Sequence, residues 1–87
     1  MKLEIQVGMN NDYSYSYTRL NDYAAFVIVK DENGMIKSAE KTDGMKKASF
    51  VKVVKLLASQ FGFEVEVDAL YKEAKEKVQQ RIVEAKS

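Results

Sequence analysis

Apolar residues between positions 45 and 61 recur with the spacing of a single helix face. Phe50, Val54, Leu57 and Phe61 stand at i, i+4, i+7 and i+11, which places them in one stripe on an α-helix. Lysines occupy much of the remaining circumference. We therefore predict a helix over residues 45–61 that covers a sheet with its apolar stripe.

The first part of the chain has the two-residue period of β-strands. Residues 2–7 alternate between polar and apolar side chains, with Leu3, Ile5 and Val7 on one face, which predicts a strand. Residues 13–18 also alternate, with three tyrosines on one face and hydroxyl side chains on the other. High β-propensity favours a second strand there.

A hairpin is predicted next. Residues 23–30, YAAFVIVK, are apolar on both faces, as in a central strand that is covered on two sides. Asn33-Gly34 is the pair preferred in type I′ hairpin turns. Residues 35–40 are more polar, so we expect them to return as an antiparallel edge strand.

Capping residues divide the second half of the chain. Thr42 or Asp43 is the expected N-cap of the main helix, and Gly62 is well placed to end it. Residues 63–67 alternate again, with Phe63 toward the core, and predict a fourth, short strand.

The last helix is predicted over residues 69–85, with Asp68 as its N-cap. Its apolar stripe is narrow and is surrounded by charged and amide side chains. Such a helix can dock lightly on the domain or pair with another copy. The stripe consists of Tyr71, Ala74, Val78, Ile82 and Ala85.

These elements predict one α+β domain over residues 1–87. The order is strand, strand, strand, helix, strand, helix, in two layers, with a mainly antiparallel sheet. Because the fourth strand follows a helix crossover, we expect it to run parallel to the first strand.

The composition excludes several kinds of chemistry. The chain has no cysteine and no histidine, which removes disulfides, thiolate metal sites and histidine-dependent catalysis. We expect no cofactor and predict that the protein is not an enzyme. No apolar run reaches the roughly 18 residues of a membrane span, so we expect a cytoplasmic location and no membrane partner.

Charge is uneven along the chain. Residues 41–60 hold five lysines and one aspartate, whereas residues 61–71 hold three carboxylates and no lysine. A solvated surface explains most asymmetry of this kind, but lysines also contact phosphates and tyrosines stack on bases. Nucleic-acid binding is therefore the alternative function, through Tyr13, Tyr15, Tyr17, Arg19, Lys41, Lys46, Lys47, Lys52 and Lys55.

Carboxylates offer a further possibility. Glu4, Glu64, Glu66 and Asp68 would cluster if the first and fourth strands were neighbours, and oxygen ligands suit Mg²⁺ or Ca²⁺. Alternating glutamates also keep an exposed strand face soluble, and we favour this interpretation. We expect no metal site.

The order of elements resembles the opening of the ribonuclease H-like fold. VGMNN stands where that family begins its active site, YAAFVIVKDENG is similar to its second strand and hairpin, and VDALYKEAKEKV is similar to its fourth strand and helix. The resemblance places Asp68 at a catalytic aspartate. Val7 replaces the first aspartate, the main helix has no glutamate, and the last strand is missing, so the resemblance implies a truncated scaffold without nuclease activity.

The excess of apolar strand surface suggests the leading function. A small domain rarely leaves a half-apolar sheet face in water, so we expect a small non-catalytic interaction module. It would form a homo-oligomer and bind a protein partner. The predicted interface residues are Tyr23, Phe26, Ile28, Tyr71, Val78 and Ile82.

Overall fold

The computed structural model describes residues 1–10 and 18–86. It is an α+β fold with a three-stranded antiparallel sheet and two helices. The strands are β1 (Lys2–Met9), β2 (Tyr23–Lys30) and β3 (Ile36–Lys41), in the order β1-β2-β3. The predicted first strand and hairpin are thus confirmed, whereas the strand predicted over residues 13–18 lies mostly outside the described residues.

The hairpin turn differs from the predicted type I′ turn. The Gly34 N–H donates to the Asp31 carbonyl at 3.1 Å, so the central turn residues are Glu32 and Asn33 rather than Asn33-Gly34. Gly34 adopts a φ of 82°, which glycine tolerates best. The Asp31 carboxylate also accepts the Asn33 N–H at 2.9 Å, and this side-chain bond explains why an aspartate opens the turn.

The helices are α1 (Lys47–Phe61) and α2 (Val67–Lys86), and a short 3₁₀ helix spans Leu20–Asp22. In the described residues, neither helix combines the length and apolarity that a membrane span requires. Gly62 ends α1 as predicted, with a left-handed φ of 77°. The Phe63 N–H donates to the Ala58 carbonyl at 2.8 Å, which is the long bond of a Schellman motif.

The start of α1 differs from the prediction. Its N-cap is Lys46, which makes no side-chain capping bond, and neither Thr42 nor Asp43 caps it. Thr42 is instead buried at 2% exposure, because it continues the pairing of β3 with β2. At the second helix, Asp68 lies inside the first turn, where a carboxylate complements the helix dipole.

The structure does not show the predicted fourth strand or its parallel pairing. Residues 63–66 have no assigned strand and are absent from the sheet. They do lie beside the start of β1, since Phe63, Val65 and Leu3 line one open groove of about 410 Å³.

The hydrophobic core lies between the helices and one face of the sheet. The α1 stripe is buried as predicted, with Phe50, Val54 and Leu57 at 1%, 0% and 1% exposure. The second helix docks firmly rather than lightly, because Ala74 and Val78 are fully buried. The core residues of the sheet are Ile5, Val7, Tyr23, Ala25, Val27 and Val29.

Candidate interaction face

The parity of β2 decides which side chains meet the helices. Its odd-numbered residues belong to the core, and its even-numbered residues point to the opposite side because strand side chains alternate. The register of the sheet extends this assignment to the neighbouring strands, since paired residues share a face. We call the surface opposite the core the open face; its apolar side chains are Ala24, which is fully buried, and Phe26, Ile28, Ile36 and Ala39.

The open face is built from rows that run across the three strands. Ile36 is 59% exposed, Ala39 is exposed, and Phe26 and Ile28 are half-buried. None of these four side chains belongs to the core cluster of the described residues. The rows are Lys2–Lys30–Ile36, Glu4–Ile28–Ala39 and Gln6–Phe26–Lys41.

The Phe26 ring lies against a glycine of the neighbouring strand. A Cβ atom on Gly8 would stand 3.0 Å from Cε2 of the Phe26 ring, closer than side chains normally approach. Gly8 therefore leaves room for the ring beside the backbone of β1, as strand glycines do for aromatic neighbours. This contact covers part of the Phe26 side chain, which is half-buried.

Charged side chains stand at the two ends of this apolar surface. The Lys30 ammonium lies 2.9 Å from the Glu4 carboxylate, and its hydrogen bond holds the pKa of Glu4 below the ordinary value of 4.5. Lys2 is exposed beside Lys30. At the other end, the Lys41 ammonium donates to the Asn10 carbonyl. The central row is thus apolar at Ile28 and Ala39 and holds the paired Glu4 on the β1 side, and lysines stand in the rows on both sides of it.

No protein-family model, curated protein or solved structure matches this chain. We therefore infer the function of the open face from its geometry and charge.

The predicted interface residues fall into two groups. Phe26 and Ile28 lie on the open face, as an interface requires. Tyr23, Val78 and Ile82 are only 4%, 0% and 6% exposed, so they are core residues and offer no free surface. The parity of residues 23–29 could have revealed this for Tyr23, which stands in phase with Val27.

Tyr71, the last predicted interface residue, is half-buried and has a structural role. Its hydroxyl donates to the Met45 carbonyl at 2.7 Å, and its ring centroid lies 5.2 Å from that of Phe50. Tyr71 therefore joins α2 to the segment that leads into α1.

The predicted lysine surface is divided among separate places. Lys41 belongs to the open face, on the side of the sheet opposite α1. Lys46 lies 3.5 Å from Asp43, within its own segment. Lys52 and Lys55 are exposed on α1 and have no ion pair among the described residues.

Among the remaining residues of the nucleic-acid hypothesis, the structure describes Lys47 and Arg19. Lys47 lies 3.1 Å from the Asp68 carboxylate of α2. Arg19 is exposed, and its backbone N–H donates to the Asp22 carboxylate at 3.0 Å. Tyr13, Tyr15 and Tyr17 lie outside the described residues.

An open groove of about 450 Å³ runs along the start of α2. The Tyr71 ring forms part of its lining, and the ammonium groups of Lys47 and Lys75 lie 6.0 and 5.5 Å from the ring centroid. Asp68 and Glu76 line the same groove. With Lys72 the lining holds three lysines and two carboxylates, and Lys47 is paired with Asp68, so the groove has charges of both signs and indicates no class of ligand.

Of the carboxylates that were predicted as neighbours, Glu64, Glu66 and Asp68 are exposed and Glu4 is half-buried. Glu64 and Glu66 flank the half-buried Val65 in a segment with no assigned strand. Among the described residues, no group of three or more histidine, cysteine, aspartate or glutamate side chains could hold a metal ion.

Sequence reasoning missed Ile36, Ala39 and Gly8 as parts of the face. The register of the hairpin could have found Ala39, because it stands directly beside Ile28. Ile36 was harder to find, since an irregularity between Val29 and Lys30 shifts the pairing of β3 by one residue.

Proposed function

We propose that this chain is a small non-catalytic interaction module that binds a protein partner through the open face. The observation that carries the proposal is that β2 is apolar on both sides, while the helices pack against one side only. Ile36, Ile28 and Phe26 provide adjacent apolar contacts, which is the usual form of a binding patch.

Selection against a displayed peptide library tests the proposal with the full chain. We expect selected peptides to lose at least tenfold in affinity when Ile28 and Ile36 are both changed to threonine, a residue that strands accept. The matched control is Leu56→Ala, because Leu56 is 56% exposed but lies on α1. Peptides that bind equally to both variants would place the binding site elsewhere and overturn the proposal.

The area of the open face limits how strongly two copies of the chain can associate through it. Two strands of eight residues and one of six give the open face a footprint of roughly 350–400 Å². A stable interface buries about 800 Å² per partner. We therefore propose a weak homo-oligomer, measurable by sedimentation at high micromolar concentration, that leaves the face accessible to another protein.

We further propose that residues 63–66, which precede α2, complete the sheet as a strand parallel to β1, and that the chain is related to ribonuclease H-like scaffolds. The support is the position of Phe63 and Val65 beside Leu3. A cytoplasmic location is proposed from the absence of cysteine. Amide exchange at Glu64 and Glu66 tests the strand, because pairing would protect these N–H groups.

A further inference from the structure

The charges at the ends of the open face narrow the kind of partner that it can accept. This step rests on the proposed function. Along the three rows there are three lysines, Lys2, Lys30 and Lys41, and one carboxylate, Glu4. Glu4 is already paired with Lys30 at 2.9 Å, so within these three rows of described residues lysines outnumber carboxylates and no carboxylate is unpaired.

A second copy is a poor occupant of this face. In a symmetric dimer the same surface meets itself, so the positive ends of one copy would contact positive charges of the other. Like charges across an interface disfavour the pairing. The footprint of roughly 350–400 Å² is also too small to offset that repulsion with apolar contact alone.

The dimensions of the face fit a single helix. The three rows span four residue steps of β2, from Lys30 to Phe26, or about 13 Å along the strand, which is the length of two to three turns of a helix. A helix packed on a sheet is also the arrangement on the covered side of this domain. Phe26, Ile28 and Ile36 would contact an apolar stripe of such a helix, and Lys2 and Lys41 would face residues two to three turns apart on it.

We infer that the open face binds an amphipathic helix of a partner protein whose apolar stripe is flanked by aspartate or glutamate. Apolar contact in the centre gives the affinity, and the lysines at the two ends select for acidic flanks. The covered face and the open face of the sheet then each carry helices.

Two designed helical peptides of about 17 residues test this inference with the full chain. Both have a leucine stripe; one has glutamate and the other has lysine beside the stripe. We expect the glutamate peptide to bind and the lysine peptide to bind at least tenfold more weakly. We also expect binding of the glutamate peptide to weaken several-fold between about 50 and 200 mM salt, because rim charges are screened.

Charge reversal locates the contact. Lys2→Glu combined with Lys41→Glu is expected to weaken binding of the glutamate peptide by about fivefold, because each change replaces an exposed attractive pair by a repulsive one. Lys52→Glu is the control, since Lys52 is exposed on α1. Circular dichroism verifies that the variants fold.

Three results would overturn the inference: equal binding of the two peptides, binding of neither, or self-association that strengthens with salt and excludes both peptides. A different outcome separates the proposed binding function of the open face from the inferred acidic partner. If library peptides depend on Ile28 and Ile36 but are neutral or basic, the open face remains a binding site and only the acidic partner is wrong.

Discussion

Thr42 replaces a missing backbone partner for Ala25. The Thr42 hydroxyl oxygen accepts the Ala25 N–H at 2.9 Å, and the Thr42 N–H donates to the Ala25 carbonyl, also at 2.9 Å. The same hydroxyl donates to the Gly44 carbonyl at 2.7 Å. One side chain thus ends the hairpin ladder and starts the turn toward α1.

Replacing Thr42 with valine is therefore expected to destabilise the protein by about 1–3 kcal/mol. Valine keeps the shape of threonine but leaves a buried N–H without an acceptor, and an unsatisfied buried group costs about this much. Urea unfolding followed by circular dichroism measures the change. Thr42→Ser retains the hydroxyl and should lose clearly less; a valine variant as stable as the native chain, with a loss in the serine variant alone, would show that the methyl group, not the bonds, stabilises the site.

Tyr71 provides a second test of how the helices are joined. Tyr71→Phe removes the hydrogen bond to the Met45 carbonyl and keeps the ring contact with Phe50, so we expect a loss of about 0.5–1.5 kcal/mol. Tyr71→Ala removes both and should cost about 3 kcal/mol or more. The difference between the two variants in urea unfolding measures the ring contact, and a phenylalanine variant as stable as the native chain would refute a role for the hydroxyl.

Regular elements were predictable from sequence because their periods are local properties. The alternation of Leu3, Ile5 and Val7 and the stripe of Phe50 and Leu57 needed no knowledge of distant residues. Local rules failed where a distant partner competed. Threonine is a good helix-capping residue, but the hydroxyl of Thr42 accepts the Ala25 N–H, which has no backbone acceptor. As a result α1 begins without a side-chain cap.

The candidate site was less predictable for a related reason. The stretch Tyr23–Lys30 is apolar on both sides, and nothing within it tells which side the helices cover. The pairing of β2 with β1 and β3 decides this, and it puts Tyr23 in the core and Phe26 on the open face. The open face also depends on Gly8, which leaves room for the Phe26 ring. This role could not be predicted before the pairing of β1 with β2 placed the two residues side by side.

Acid is expected to weaken the hairpin through Asp31. Hydrogen bonds from the N–H groups of Met35 and Asn33 hold the pKa of Asp31 below its ordinary value of 3.8. A carboxyl whose pKa is lowered by folding stabilises the folded state above the unfolded pKa, and this contribution is lost as the pH falls through the folded pKa. The free energy of unfolding should therefore decrease below about pH 3.8.

Asp31→Asn isolates this contribution, because asparagine can still accept a hydrogen bond but does not titrate. We expect urea midpoints of the variant to change less between neutral pH and pH below 3.8 than those of the native chain. Some dependence should remain from Glu4, whose pKa Lys30 lowers in the same direction. Glu32→Gln, in the same turn, is the matched control; an equal flattening there would point to general charge rather than to the Asp31 bonds.

Lys77 protects the outer edge of β1. Its ammonium donates to the Ile5 carbonyl and lies 3.4 Å from Glu73 on the same helix. A carbonyl that points away from β2 can pair with a strand of another chain, and a charged side chain placed there blocks such pairing.

Lys77→Met keeps the apolar stem but removes this donor, so we expect increased self-association with little loss of stability. Sedimentation velocity at low and high micromolar concentration measures the effect, with Lys72→Met, an exposed lysine of the same helix, as the control. If both variants associate equally, reduced charge is responsible, and the bond from Lys77 to Ile5 is not an edge-protecting device.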